Sequence, residues 1–167
     1  MNKFITALVL AACAAPALAA SPAAKPAPGI DTGRLFFGAG VSDNDVTGSD
    51  SGTGFQFFGG YEFGQVAQNI AVDLEVGYMD TGSMDVRVGP FTVDARAKGL
   101  WATGVGRLQL NPQFELLARA GLDFGDDDGL MVGIGAGFNV NKQTQLRFEF
   151  VERDEVSSLQ FNVVYRP

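Results

Sequence analysis

Two carboxylates stand two residues apart in the segment IAVDLEVGYM, which spans residues 70–79. Asp73 and Glu75 are of the residue types that act as a pair in general acid–base catalysis. Arginines and lysines of the same alternating segments can neutralise them, and a buried charge needs such a partner. We therefore interpret Asp73 and Glu75 as members of ion pairs, with a catalytic pair as the alternative.

Two clusters of aspartate carry the oxygen ligands that hard divalent cations prefer. Asp43 and Asp45 lie in the segment DND, and Asp126, Asp127 and Asp128 form the segment DDD. Neither cluster has the spacing or the closing glutamate of a calcium-binding loop. We expect solvated loop tips at both places, with cation binding as the alternative.

Composition and context exclude several other kinds of chemistry. The chain has no histidine, which removes His-based catalytic triads and histidine-containing zinc sites. The segment GIGAG at 133–137 resembles a nucleotide-binding loop, but it lies within a strand pattern and no helix follows it. The net charge of −7 argues against nucleic acid as a partner. The sequence thus predicts a protein that is not an enzyme and that has no cofactor, no metal and no catalytic residue.

The segments that carry these residues alternate between two kinds of side chain. In LMVGIGAGFNV, residues 130–140, apolar residues alternate with residues that are mostly glycine. Successive side chains of a strand point to opposite faces, so this segment predicts a strand with one apolar face. The same period recurs along the chain and predicts eight strands, near residues 34–41, 55–63, 70–80, 95–110, 114–124, 130–140, 144–153 and 157–166.

The fourth of these segments breaks the alternation. Trp101 and Val105 share one parity, whereas Leu108 and Leu110 share the other. One extra residue in a strand turns the following side chains to the opposite face. We therefore expect a β-bulge near Gly104–Gly106.

The connections between the predicted strands are of two kinds, which an up-and-down barrel places at opposite ends. Connections 64–69, 111–113 and 141–143 are short, and Lys142 is their only charge. The others, at 42–54, 81–94, 125–129 and 154–156, hold eleven acids with their flanking strand ends, against the single base Arg87. Short turns on one side and longer loops on the other are typical of outer-membrane barrels. The acids are Asp43, Asp45, Asp50, Asp80, Asp85, Asp94, Asp126, Asp127, Asp128, Asp154 and Glu155.

The face opposite the apolar one is rich in glycine and carries equal numbers of acids and bases. A surface in water would be mostly Lys, Glu, Ser and Thr, whereas repeated glycine weakens a strand and indicates crowding, as inside a narrow barrel. We therefore predict that the apolar face meets lipid and that opposite charges pair in the lumen. The candidates for lumen ion pairs are Arg34, Glu62, Asp73, Glu75, Arg96, Lys98, Glu115, Arg119, Asp123, Arg147, Glu149 and Arg153.

Aromatic residues of the apolar face fall near the two ends of the strands, as in the interfacial belts of membrane proteins. About ten residues at about 3.3 Å each, tilted by about 40°, span about 25 Å, the height of the apolar band of such barrels. The acidic-end girdle is predicted to be Phe55, Phe57, Tyr78, Phe124 and Phe150, and the short-turn girdle Tyr61, Phe63, Phe114, Phe138 and Tyr165.

The first residues indicate export. Lys3, an apolar core and a small-residue pattern ending at Ala19 predict a signal peptide over residues 1–19. The alternative is lipidation of Cys13, the only cysteine, in the segment LAAC. Residues 20–33 are rich in Pro and Ala and are expected to be a flexible lead-in, followed by the barrel over residues 34–167.

The segments GFQFFGGYEFGQ, FELLARAGLDFG and GLMVGIGAGFNVNKQTQLRFEFVERDEVSSLQFNVVYRP resemble the eight-stranded OmpA-type outer-membrane barrels, a family that includes small porin-like proteins. The resemblance covers roughly residues 34–167. It implies an all-β, eight-stranded antiparallel transmembrane barrel in the bacterial outer membrane, inserted by the barrel-insertion machinery. That machinery is thought to recognise a final aromatic residue, and here Tyr165 is followed by Arg166 and Pro167. No peptidoglycan-binding domain follows the barrel in this sequence, so wall anchoring is not implied.

These observations predict a structural or surface-interaction barrel. We expect outer-membrane lipid and lipopolysaccharide as its surroundings, no nucleic acid, a monomer, and a loop ligand that the sequence does not identify. A narrow diffusion channel is the first alternative, although eight strands leave an interior that side chains fill. A secreted soluble barrel for a small apolar ligand is the second.

Overall fold

The structure is a computed structural model that describes residues 30–46, 51–88 and 91–167. The predicted signal peptide, Cys13, residues 20–29 of the lead-in and Asp50 lie outside the described residues. A short 3-10 helix, Thr32–Arg34, precedes ten strands. The strands are β1 (Leu35–Val46), β2 (Gly52–Ala67), β3 (Ile70–Asp80), β4 (Met84–Val88), β5 (Phe91–Ala95), β6 (Lys98–Gln109), β7 (Phe114–Asp123), β8 (Gly129–Asn139), β9 (Thr144–Glu152) and β10 (Val156–Tyr165).

Eight of these strands close into an antiparallel barrel in the order β1-β10-β9-β8-β7-β6-β3-β2. Each barrel strand pairs with the barrel strands before and after it in the chain, so that β3 pairs with β6 across the inserted β4 and β5. β1 closes the barrel against β10 from Phe37↔Tyr165 to Val46↔Val156. The predicted fold, an eight-stranded antiparallel up-and-down barrel, is confirmed. In the part of the chain that the structure describes, no helix is long and apolar enough to span a membrane.

Asparagine side chains close two of the short turns. The Asn111 side-chain oxygen accepts the backbone N–H groups of Gln113 and Phe114 at 2.9 and 3.0 Å. Asn141 does the same for the N–H groups of Gln143 and Thr144, both at 2.8 Å. Asparagine favours such turns because its side chain replaces a backbone acceptor. These turns lie at the same end as the start of β1 and the end of β10.

The first two strands are longer than the sequence predicts. β1 runs to Val46 and β2 begins at Gly52, so much of the predicted connection 42–54 is strand. Buried polar side chains explain this extension of the strands, because those of Ser42 and Asn44 point inward. Asn44 donates to the Thr81 carbonyl at 3.0 Å and accepts from the Ser158 hydroxyl at 2.7 Å. These hydrogen bonds continue the barrel beyond its apolar band.

The predicted connection 81–94 contains a hairpin. β4 and β5 pair from Met84↔Ala95 to Val88↔Phe91 and form a sheet separate from the barrel. The hairpin rises from the acidic end, and the Thr81 N–H donates to the Ala97 carbonyl at 2.9 Å at its base.

The expected bulge near Gly104–Gly106 is wrong. β6 pairs with β3 and β7 in an unbroken register. Trp101 and Val105 instead point into the lumen, where they are 1% and 0% exposed, while Leu108 and Leu110 lie on the outer face. The irregularity of the barrel is in β2, whose register against β3 shifts between Glu62 and Gly64 and again before Ala67.

The two faces of the barrel wall differ as the alternation predicts. Leu74 and Ile134 are 45% and 68% exposed on the outer face, whereas Asp73 and Glu75 are fully buried. The lumen also holds a cluster of large apolar side chains, which the sequence analysis did not predict. This apolar cluster consists of Phe36, Phe58, Met79, Trp101, Met131, Val151 and Val164.

Candidate functional site

The centre of the lumen is an ion network that joins three strands. Glu75 of β3 accepts from Arg147 Nη1 of β9 at 2.5 Å and from Arg119 Nη2 of β7 at 3.3 Å. Arg119 Nη2 also pairs with Glu149 Oε2 of β9 at 2.6 Å. All four side chains are at most 1% exposed. A desolvated network of this kind stabilises the barrel only while each charge keeps its partner.

A second group of charges lies at the short-turn end. Arg107 contacts Asp73 at 2.7 Å through Nε, and Glu62 and Glu115 at 3.2 and 3.6 Å through its terminal nitrogens. Arg166 Nε meets Glu62 Oε1 at 2.6 Å. All of these side chains except Asp73 line a cavity of about 430 Å³, together with residues of the short turns. The lumen is therefore more open at this end than at its centre.

A third pair lies at the acidic end. Arg153 Nε contacts Asp123 Oδ2 at 3.0 Å, and Arg153 Nη1 donates to the Ser158 hydroxyl at 2.8 Å. The inward residues of β9 run from Gln145 at the short-turn end through Arg147 and Glu149 to Val151, and Arg153 follows directly after the strand. Along this segment, Val151 of the apolar cluster lies between Glu149 of the central network and Arg153.

Inward glycines make room for the large lumen side chains. A Cβ on Gly60 would overlap the Phe36 ring, and one on Gly38 would overlap the Phe58 ring. Gly77 stands where a Cβ would come within 2.6 Å of the Trp101 ring and 2.7 Å of Phe58. The glycine-rich face predicted from the sequence is thus the inner face, and its glycines leave space for aromatic rings.

The structure places most of the predicted lumen charges inside the barrel and three elsewhere. Arg34 pairs with Asp31 at 3.5 Å outside the barrel. Arg96 precedes β6 and is about half exposed. Lys98 shares the outward parity of Leu100 and is exposed. The sequence assignment of these bases fails because Arg34 and Arg96 lie outside the strands and Lys98 starts its strand on the outer face. Those inside are Glu62, Asp73, Glu75, Glu115, Arg119, Asp123, Arg147, Glu149 and Arg153.

Two lumen bases were missed in the sequence. Arg107 shares the inward parity of Trp101 and Val105, so an unbroken β6 would have revealed it. Arg166 follows the outward Tyr165 and accordingly points inward. The alternation of side chains along the strand was enough to place both arginines in the lumen. In β6 the expected bulge obscured that alternation.

All ten predicted girdle residues lie on the outer face of the barrel wall or at its ends. Near the acidic end the rings of Phe57 and Tyr78 stack at 5.4 Å. Near the short turns Phe114 and Phe138 meet at 5.1 Å. Aromatic residues also occur at mid-strand, where Phe148 pairs with Phe161. The girdle positions are Phe55, Phe57, Tyr61, Phe63, Tyr78, Phe114, Phe124, Phe138, Phe150 and Tyr165.

The aspartate clusters at the acidic end have specific contacts. Asp127 is 6% exposed and accepts the backbone N–H groups of Glu155 and Val156 at 3.0 and 3.1 Å. Asp126 accepts the N–H of Lys98 at 3.2 Å. The expectation of a solvated tip is therefore wrong for Asp127, which ties two loops together. Among the described residues, no group of three or more acids or cysteines is arranged to hold a metal ion.

Asp80 and Arg96 form a bidentate pair at the base of the hairpin. Arg96 Nε and Nη2 donate to the two carboxylate oxygens of Asp80 at 2.7 and 2.5 Å. This hydrogen bonding raises the pKa of the Arg96 guanidinium above its usual value. Above this pair, Phe91 and Val93 of β5 are 72% and 52% exposed. The acidic end therefore also presents apolar side chains.

This architecture is similar to that of known proteins. The family model described as outer membrane protein beta-barrel domain matches residues 5–166. No curated protein sequence matches the chain. Among solved structures, Ail of Yersinia pestis in a phospholipid nanodisc is similar, with a TM-score of 0.53, 16% identity, and coverage of 80% of this chain and 98% of that one.

Two further structures share the fold. The Neisserial surface protein A has a TM-score of 0.53 and 14% identity, over 80% of this chain and 96% of that one. A de novo designed transmembrane β-barrel has a TM-score of 0.56 and 17% identity, over 80% of this chain and 94% of that one. At such identities the likeness concerns the fold alone.

Proposed function

Because the chain belongs to the family of outer membrane protein β-barrel domains, we propose that it acts in the bacterial outer membrane as a closed scaffold. The barrel holds an acidic end and its hairpin away from the membrane for contact with a partner. It has a structural or surface-interaction role and no catalytic one. Its lumen charges serve to hold the strands together.

The filled lumen is the observation that carries this proposal. Glu75, Arg119, Arg147 and Glu149 neutralise one another at the centre, at most 1% exposed. Trp101 of the apolar cluster lies next to them, with the Arg119 guanidinium 5.4 Å from the centre of its ring. A permeating ion would have to break these pairs and pass apolar side chains. Both costs favour a scaffold over an open pore.

In outer-membrane barrels, short turns usually face the periplasm and longer loops face the outside of the cell. The proposed orientation is the same. We place the Asn111 and Asn141 turns in the periplasm and the hairpin outside. Residues 1–19 direct export, and the barrel-insertion machinery assembles the barrel. The barrel is a monomer, surrounded by lipid and lipopolysaccharide. The outer end then meets its partner with carboxylates and with the exposed Phe91 and Val93.

Orientation is tested by cysteine labelling in intact cells. Thr92→Cys in the hairpin should react with a membrane-impermeant maleimide. Gln113→Cys, a matched exposed position in a short turn, should react only after the cells are lysed. The reverse pattern, or labelling of both positions in intact cells, contradicts the proposed orientation.

A narrow diffusion channel is the second candidate, and the cavity of about 430 Å³ at the short-turn end favours it. Single-channel recording in planar bilayers separates the two functions. The scaffold predicts no steady conductance for the parent protein. Frequent, reproducible conductance steps from the purified barrel would establish the channel instead.

A further inference from the structure

One side of the hairpin β4–β5 carries apolar residues that the barrel does not cover. Phe91 and Val93 alternate along β5 and are 72% and 52% exposed. The residues that pair with them in β4 are apolar too, since Phe91 pairs with Val88 and Val93 with Val86. Alternate residues of a strand lie on the same face, so Phe91 and Val93 lie side by side. These two residues form the apolar hairpin face.

Met84 shows in which direction this face is turned. It pairs with Ala95, and Ala95 has the same parity as the apolar hairpin face. Met84 itself is 1% exposed, and its side chain lies where a Cβ on Gly52 would come within 2.6 Å of it. Gly52 has the inward parity of β2. The apolar hairpin face is therefore turned toward the mouth of the barrel at the acidic end and not toward the surrounding lipid.

Two loops beside the hairpin form an acidic rim at the same end. The exposed acids of the rim are Asp126, Asp128, Asp154 and Glu155. Buried Asp127 ties the two loops together, because it accepts the backbone N–H of Glu155 at 3.0 Å. Asp126 accepts the N–H of Lys98 at 3.2 Å, which attaches the rim to the strand that follows the hairpin. The rim is thus held in place next to the apolar hairpin face.

The bases of this end leave the acidic rim without a counter-charge. Residues 125–129 and 154–155 contain no base. Arg96 is engaged by Asp80, Lys98 has the outward parity of β6, and Arg87 has the parity opposite to the apolar hairpin face. Within the described part of the chain, no ion pair includes a carboxylate of the rim.

We propose that the apolar hairpin face and the acidic rim together bind a cationic amphipathic segment of another protein. This inference rests on the proposed function and specifies the chemistry of its partner. Apolar side chains of the segment cover Phe91 and Val93 and supply affinity. Its lysines or arginines meet the rim and supply specificity and a fast encounter. Phosphate-bearing partners and a second copy of this acidic end are repelled by the same charges.

A synthetic peptide of lysine and leucine, with the two residue types on opposite faces of a helix, is the probe. The full mature barrel is placed in phosphatidylcholine nanodiscs, and anisotropy of a fluorophore on the peptide measures binding, with empty discs as the background. Phe91→Ser should weaken the affinity about tenfold, because the peptide loses its main apolar contact. The same peptide with glutamate in place of lysine should not bind.

Substitutions of acids separate a specific rim from general attraction to negative charge. Asp128→Asn combined with Glu155→Gln should weaken binding about threefold at low salt and reduce its salt dependence. Asp43→Asn combined with Asp45→Asn is the matched control, since it removes the same charge at the same end from outward positions of β1. Thr92→Ser is the control on the other face of the hairpin. Both controls should bind within about twofold of the parent.

Three results overturn the proposal. They are a parent whose binding does not exceed that of empty discs, equal affinity of the parent and Phe91→Ser, and equal losses for the two acid pairs. Dimers of the parent that Phe91→Ser abolishes, without peptide binding, would assign the face to a second copy.

Two further measurements keep this proposal apart from the proposed function. A barrel that folds, with a hairpin that is labelled at Thr92→Cys in intact cells but binds no peptide, refutes the peptide site while the scaffold stands. Labelling of the hairpin only after lysis refutes the outward scaffold, whatever the discs show.

Discussion

Each buried arginine of the lumen meets a carboxylate from another strand, and this pairing lets charges lie inside the membrane band. Arg147 meets Glu75 across the lumen, and Arg153 meets Asp123. Moving such charges out of water costs several kcal/mol per ion, which the pairs largely offset. Removal of one partner therefore costs far more than the pair contributes.

Glu75→Leu should lower the free energy of unfolding by about 3–5 kcal/mol, because it leaves Arg147 and one contact of Arg119 without a buried carboxylate. Urea titration in lipid vesicles, followed by Trp101 fluorescence, measures the change. Asp31→Asn is the control. It removes an ion pair in which both side chains are about half exposed or more, and such pairs contribute about 0–1 kcal/mol. Equal effects of the two substitutions would show that the central network is not desolvated in the membrane.

At the scale of elements, adjacent glycines in β2 have opposite tasks. Gly60 faces inward beneath the Phe36 ring, whereas Gly59 faces outward with its nearest atoms at 3.8 Å from an added Cβ. We expect Gly60→Ala to destabilise the barrel by about 1–3 kcal/mol through overpacking. Gly59→Ala should leave the same urea midpoint nearly unchanged. A larger loss of stability for Gly59→Ala than for Gly60→Ala would mean that Gly59 faces inward and Gly60 outward.

The hairpin β4–β5 is an appendage whose strands pair with each other and not with the barrel. Replacement of residues 84–95 by a short turn should therefore leave a barrel that still folds. The Thr81–Ala97 hydrogen bond can remain to close the ends of β3 and β6. Comparison of boiled and unboiled samples on a gel measures this, because a closed barrel changes its migration on heating. Loss of that change would mean that the hairpin is needed for closure.

At the scale of the whole molecule, the outward apolar face determines where the barrel can lie. Leu74 is near mid-strand on this face and 45% exposed. Leu74→Arg should cost about 2–4 kcal/mol in lipid vesicles, since an arginine on the lipid face near the midplane is poorly solvated. Thr53→Arg, outward at the acidic end of β2, should cost only about 0–1 kcal/mol because it reaches the interface. A fully tolerated Leu74→Arg would contradict the assignment of this face to lipid.

The sequence by itself determined the features that depend on one strand at a time. Alternation with a period of two assigned Leu74 and Ile134 outward and Asp73 and Glu75 inward, and the composition of the connections separated a short-turn end from an acidic end. These features are local, because each side chain's face is set by its place along its own strand. Even here, the assumption of a bulge in β6 concealed Arg107 and put Trp101 on the wrong face.

Only the tertiary structure decided which residues meet across the lumen. Glu75 and Arg147 are 72 residues apart, and their contact depends on the tilt and stagger with which eight strands close. The same closure brings Trp101, Phe58 and Gly77 together inside the barrel. The extension of β1 also depends on a partner distant in sequence, because the Asn44 side chain accepts a hydrogen bond from Ser158. Period-two patterning specifies a face but not a partner, because register and closure are properties of the assembled sheet.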